Sequence, residues 1–318
     1  MKSGFLALRA TPFRERIIVN SVIQRTAFLL LLFVFQSSCA SAPKQVPSAQ
    51  KSFLWSVRSE TATVYLLGSI HVAKPELYPL HPNVEAAFDQ SDTLVVEINP
   101  EEFDRSRLQS LFMQYGTYPQ TETLDRKISK ETYTLVEQKF QQAGMAMEPF
   151  SRFKPWVLAV MLQSVELQRL GFDKRYGIDD HFIAQARGKK QITAFETVEY
   201  QVGLFDSFSD RLQELFLRYT LSDLNLLADQ MESIMKGWRA GDGGAIEELI
   251  FRSIKDEPEL KPVYEKLIDE RNLHMASDIE AFLKTEHRYF VVVGAGHLVG
   301  PGSIVDLLRK KGYVVEQM

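Results

Sequence analysis

Two apolar runs near opposite ends of the chain stop at the same pattern. Val64-Tyr-Leu-Leu leads into Gly68-Ser-Ile-His71, and Tyr289-Phe-Val-Val-Val leads into Gly294-Ala-Gly-His297. Short runs rich in β-branched and aromatic residues read as buried strands. The glycine predicts a sharp departure from the strand, where the backbone needs freedom in φ. The histidine is then left at the carboxyl end, the edge of an open α/β sheet where ligands bind. One histidine beside an apolar run is ordinarily a satisfied core or edge residue. A second copy behind the same spacing points to two strand ends meeting over one site, with an imidazole from each. The expected fold is therefore α/β: a central mixed sheet flanked by many helices, with two strand–Gly-x-x-His units meeting at one site.

The segments between supply candidate partners. Phe53-Leu-Trp-Ser-Val and Ala62-Thr-Val-Tyr-Leu-Leu read as a hairpin leading into His71. Asp92-Thr-Leu-Val-Val-Glu97-Ile reads as a strand that ends on an acid. Buried alone, that carboxylate is expensive, so Glu97 is either exposed on an edge or delivered to the same edge as the histidines. Glu196 follows a short strand at 189–195 and is a second such acid, with helix N-terminal charge compensation as the other reading. Residues 129–143, 154–170 and 266–283 have helical apolar spacing. Arg271, in the last of these, is either a clamp for an acid or oxyanion or a solvated helical charge. Gly177-Ile-Asp179-Asp180-His181-Phe-Ile-Ala opens a further helix with Asp179 as its N-cap, which makes His181 a surface or packing residue. The glycine-rich turn after His297, followed by a helix start at Ser303, suggests a site for an anion or a developing oxyanion.

Charge and cysteine content narrow the classes. With 37 basic and 41 acidic residues and a net charge of -4, nothing resembles a nucleic-acid footprint. The single cysteine, Cys39, rules out an intrachain disulfide. It follows an apolar run at 27–35 preceded by Arg9, Arg14, Arg16 and Arg25, which together read as a secretory signal. Its place just past that run matches a bacterial lipoprotein signal, although Gln36 stands where an aliphatic residue is usual. The expected organisation is a signal peptide at 1–39, a tether at 40–51 and one folded domain at 52–318. The expected location is the cell envelope, as a periplasmic or outer-membrane lipoprotein held to the membrane through lipidated Cys39, with plain secretion as the alternative.

The ordered motifs resemble those of the TraB/GumN family, whose animal relatives are the TIKI proteins. They are Gly68-Ser-Ile-His71 with Leu77-Tyr-Pro-Leu80, Ser91-Asp92-Thr-Leu-Val-Val-Glu97, Lys154-Pro-Trp156 and Gly177-Ile-Asp179. Glu196 with Gln201, Trp238 with Gly241-Asp242, Glu270-Arg271-Asn272 and Gly294-Ala-Gly-His297-Leu complete the set. The resemblance implies a single domain of the kind shared with haem-binding ChaN-like proteins and erythromycin esterases (an EreA/ChaN-like fold), and a hydrolytic site. In the TIKI branch the activity is metal-dependent peptide cleavage favouring manganese or cobalt. The site residues it implies are His71, His297 and Glu97, with Arg271 and Asn272 as supporting polar groups; Glu196 and Asp179 also match the pattern. The leading expectation is a metallopeptidase. His71, His297 and Glu97 would hold manganese, cobalt or zinc, and Glu97, Arg271, Asn272 and Glu196 are the catalytic candidates. Glu97 is either a third ligand or the general base. Two alternatives stand beside it: a metal-independent His/Glu hydrolase of esterase type, and a non-enzymatic haem- or iron-binding lipoprotein. The expected partner is a peptide or protein substrate, and no nucleic acid.

Overall fold

The computed structural model describes residues 51–318. The apolar run at 27–35, Cys39 and the tether up to residue 50 lie outside the described residues. Among the described residues the strands are β1 (Leu54–Arg58), β2 (Thr63–Ser69), β3 (Thr93–Ile98), β4 (Gln191–Glu196), β5 (Arg288–Gly294) and β6 (Val315–Gln317). They form one mixed sheet in the order β4-β3-β5-β2-β1-β6. β1 and β2 form the expected hairpin, with Leu54 opposite Leu67 and Arg58 opposite Thr63. The short β6 pairs antiparallel with the outer edge of β1.

The other four strands are parallel, and their register places the functional residues. β2 runs beside β5 with Ser69 opposite Gly294. β5 runs beside β3 with Val292 opposite Val96, and β3 beside β4 with Ile98 opposite Glu196. All four carboxyl ends therefore open on one edge. The apolar runs in β2, β3 and β5 are continuous because helices cover both faces, and these strands are buried along nearly their whole length. Phe290 of β5 packs on Phe88 of helix Pro82–Asp89 and on Phe182 of helix Ile178–Ala186, at 5.4 and 4.8 Å between ring centres. Among the described residues no helix is long and apolar enough to cross a membrane.

Helix boundaries follow the local signals in most places. Ser129 Oγ accepts from Thr132 N at the start of Lys130–Gln142, and Gly171 closes Pro155–Arg169 at φ +84°. Three expectations are corrected. Gly68 and Gly294 do not supply left-handed backbone, for neither adopts positive φ. Space is the reason at Gly68, where an added Cβ would lie 2.4 Å from the Phe53 ring and 3.0 Å from the Cα of Ala295. Asp179 is not an N-cap: Gly177 holds that position, and Asp179 sits inside the first turn with its carboxylate turned toward β2. The turn after His297 is in part filled from within the chain, for the Asp306 carboxylate stands where an anion would: its Oδ2 accepts from Gly302 N at 2.8 Å, and Ser303 Oγ accepts from Asp306 N.

Candidate active site

β5 brings Gly294 to the middle of the carboxyl edge, with β2 on one side and β3 on the other. A Cβ added at Gly294 would stand 3.3 Å from Glu97 Oε1, 3.4 Å from His71 Nε2 and 3.6 Å from His297 Cδ2. The two Gly-x-x-His histidines and the strand-end acid thus converge over one glycine. The glycine leaves open the space that any side chain would fill.

Each imidazole is oriented by an oxygen on its Nδ1. For His71 that oxygen is Asp179 Oδ2 at 2.9 Å, and Ser69 Oγ donates to the other oxygen of Asp179 at 3.0 Å. The carboxylate accepts the Nδ1 proton, so His71 turns Nε2 toward Gly294. For His297 the oxygen is Asn272 Oδ1 at 2.7 Å. Asn272 Nδ2 donates to the Gly302 carbonyl at 2.9 Å, which fixes the amide with its oxygen facing the ring. Nδ1 of His297 therefore carries the proton, and Nε2 carries the lone pair that receives Arg271 Nη1–H at 3.1 Å. The same Nε2 is 3.7 Å from Glu97 Oε1.

Arg271 and two glutamates form the floor. Arg271 Nη2 donates to Glu97 Oε2 at 2.5 Å and to Glu196 Oε2 at 2.8 Å, and Nε donates to Glu196 Oε1 at 2.8 Å. Gln201 Nε2 donates to both acids, at 3.1 Å to Glu97 and 2.7 Å to Glu196. Gly294 N–H donates to Glu97 Oε1 at 2.6 Å. Arg271, Glu97 and His297 are all buried, so Arg271 is a clamp on two acids and not a solvated helical charge.

These contacts set the proton affinities. At Glu97, burial favours the neutral acid. The Arg271 charge, the two imidazoles and the Gly294 amide outweigh it and hold the carboxyl well below its usual range. His71 is raised to about 9, chiefly by the Asp179 carboxylate, against the opposing effect of burial. Its ring is open to water on one side, with 56 % of the side chain exposed, and solvent moderates this pull. His297 is lowered to about 4 because burial, with Arg271 and His71, outweighs the attraction of Glu97. Their surroundings thus push the two histidines in opposite directions, His71 toward the imidazolium and His297 toward the neutral ring.

All the residues expected from sequence stand at this edge. His71, Glu97 and His297 meet over Gly294. Arg271 touches Glu97 and His297, Asn272 touches His297, and Glu196 lies one step further out, behind Arg271. The expected ligand set does not close on a single point: among the described residues, no three His, Cys, Asp or Glu side chains stand together as an ion site. Arg271 occupies the lone pair of His297 that such a site would use. Sequence reasoning left Gln201, the bridge between the two acids, without a role, and it gave Asp179 the wrong one. The Gly177-Ile-Asp179 motif was the signal for Asp179, but a short polar residue at a helix start reads first as a cap.

The model of the TraB/PrgY/gumN family matches residues 53–317, and the chain belongs to that family. It is 26 % identical over 246 residues to the uncharacterized protein YbaP of Escherichia coli, which covers 77 % of this chain and 87 % of that protein. It is 23 % identical over 334 residues to the human protein named Metalloprotease TIKI1, which covers 88 % of this chain and 64 % of that longer protein. A homologue in the sponge Amphimedon queenslandica, named Metalloprotease TIKI homolog, is 22 % identical over 342 residues, covering 91 % of this chain and 66 % of that protein. No solved structure matches the chain.

Proposed function

We propose that the protein is a divalent-metal-dependent peptide hydrolase whose reaction centre is the space over Gly294. The convergence of His71 Nε2, Glu97 Oε1 and His297 on that glycine carries the reading, and the metalloprotease names of the TIKI relatives support it.

The donor types fit a divalent ion. Two imidazoles and a carboxylate, each imidazole held through Nδ1 by an oxygen, are the ligands and outer partners such ions take. His71, His297 and Glu97 are the residues that would hold it. When bound, the ion would polarise the scissile carbonyl and make a water more acidic. The chain's own residues do the rest. Asp179 and Asn272 keep both Nε2 atoms facing the site. Arg271 and the Gly294 amide keep Glu97 ionised, and a carboxyl held that low is a poor proton acceptor. Glu97 is therefore better suited to ligation than to general-base work. Arg271 Nη1 has to leave His297 before that ring can serve as a ligand, and Glu196 offers the guanidinium a resting place on the outer side.

The Arg271 contact is also the specific observation that favours a second reading, a metal-free hydrolase. In that reading Arg271 stays on His297, and His71, pushed toward the imidazolium by Asp179, would donate a proton to the leaving group. The experiment that separates the two is hydrolysis of a peptide mixture followed by mass spectrometry, before and after chelation and re-addition of manganese, cobalt or zinc. We expect cleavage that chelation abolishes and one of these ions restores, and that is lost in His71→Ala and His297→Ala. Cleavage that survives chelation supports the metal-free reading, and no cleavage under any condition removes both.

We further propose that the enzyme works at the cell envelope, anchored through acylated Cys39. The basic, apolar and small-residue pattern of residues 9–41 supports this. Labelled palmitate is expected in the wild type and absent from Cys39→Ala, which should leave the membrane fraction. A Cys39→Ala protein that still takes up label and sediments with membranes contradicts the anchor.

A further inference from the structure

Behind the Gly294–His297 turn lies a cavity of about 280 Å³. Helices Asp210–Asp223 and Gly244–Asp256 and the π-helical turn Glu265–Asp269 line much of it, and it is partly open to solvent. Phe216, Leu224, Ile250, Leu260, Leu267 and Ile268 give it an apolar lining. Asp223, the carboxylate in the lining, is paired with Arg252 at 2.6 Å, so no unpaired charge faces inward. The volume is roughly twice the ~150 Å³ of an apolar protein cavity that admits benzene. It is enough for the side chain of a leucine or phenylalanine.

Three contacts tie this cavity to the reaction centre. A Cβ added at Gly296, next to His297, would lie 2.8 Å from Ile250 Cδ1 and 4.0 Å from Ile268 Cδ1. The same two isoleucines line the cavity. The carbonyl of Leu267, another lining residue, accepts from Arg271 Nη1 at 3.0 Å, the nitrogen that also donates to His297. The π-helical turn is the feature that sets Leu267 and Ile268 between cavity and site. Such turns are rare and recur at functional sites.

We propose that this cavity receives a bulky apolar side chain of the peptide substrate, next to the bond that is cleaved. The proposal rests on the peptide-hydrolase reading above and adds the substrate's character to it. Ile250, Ile268 and Leu267 form the wall shared by the apolar pocket and the histidine turn. A leucine or phenylalanine seated there lies beside the catalytic turn, and a glycine or alanine leaves the pocket empty. Pockets of this kind discriminate by about tenfold or more in kcat/KM for a large apolar side chain over a small one.

The test has a binding arm and a cleavage arm, both on the full chain. In the first, N-acetyl-leucinamide and N-acetylglycinamide are titrated while the isoleucine methyl resonances are followed by NMR. The leucine compound should shift Ile250 and Ile268, the glycine compound should not, and Ser253→Phe, which fills the cavity, should abolish the shift. Thr220→Leu narrows the cavity from the opposite helix and serves as a second variant if the first does not fold. In the second arm, the cleavage sites in a peptide mixture should carry a bulky apolar residue beside the cut bond. Ser253→Phe should lower kcat/KM for those peptides at least tenfold while sparing peptides with small residues. Methyl shifts without hydrolysis keep the pocket and overturn the hydrolase. Hydrolysis without bulky-residue preference, or unaltered by both variants, keeps the hydrolase and overturns the pocket. Absence of methyl shifts overturns the pocket whatever the cleavage result.

Discussion

Arg271 donates at once to Glu97, Glu196, the Leu267 carbonyl and His297. That one side chain makes a buried pair of acids tolerable and, adding to the effect of burial, helps to keep His297 neutral. The two histidines then pull stability in opposite directions with pH. An unfolded histidine takes a proton near 6.5, while folded His297 refuses it until about 4. In that window the unfolded state binds more protons, so stability falls as the pH falls. Glu97 acts in the same direction. Its folded pKa is depressed, so its contribution is present above the ordinary carboxylate value and is lost as the pH drops. For His71, raised to about 9, the contribution is full below about 6.5 and is lost as the pH rises through 9; solvent on its exposed face keeps it small. The urea midpoint of chelated protein should therefore drop between pH 7 and 4, and drop less steeply in His297→Gln. Equal slopes in the two proteins contradict this assignment. Much of this was hidden at the residue level. A helical period places Arg271 on a face, but the two acids it binds come from strands far away in sequence. Asp179 fits the pattern of a cap equally well, and only the proximity of β2 reveals its partner.

At the scale of the elements, glycines and one aromatic residue decide how strand ends become a site. Gly68 lies inside β2 against Phe53, and its carbonyl accepts from Trp238 Nε1 at 2.5 Å. The helix Leu227–Arg239 is thereby tied to the start of the first Gly-x-x-His unit. Gly294 is different, because a methyl there would meet site atoms and no core packing. Gly294→Ala should keep a near-native melting temperature and lose at least ~100-fold in peptide hydrolysis, since misplacement by about 1 Å near reacting groups costs that much. A large loss of stability with specific activity retained contradicts it. The strands were plain in the sequence because β2, β3 and β5 are buried on both faces and so spell continuous apolar runs. The role of the glycines was not, because close approach depends on what the fold brings near and leaves no local mark. Nor did the period at 266–283 show that its first residues form a π-helical turn, since one added residue per turn barely disturbs an apolar stripe.

For the molecule as a whole, parallel pairing of β4, β3, β5 and β2 carries four strand ends to one edge. The edge gathers Glu196, Glu97, His297 and His71 from residues as far apart as 71 and 297. Repetition of Gly-x-x-His made this meeting legible before the fold was known. The sheet order was not legible, because the apolar runs are interchangeable as sequence. The central claim is that His71 and His297 together hold a divalent ion. The most direct measurement is elemental analysis of the purified full chain after dialysis against equimolar manganese, cobalt, zinc and iron, beside the His71→Ala/His297→Ala double variant. The expected result is close to one ion per chain in the parent and none in the variant. Equal and negligible metal in both would contradict the claim and leave Arg271 as the permanent partner of His297.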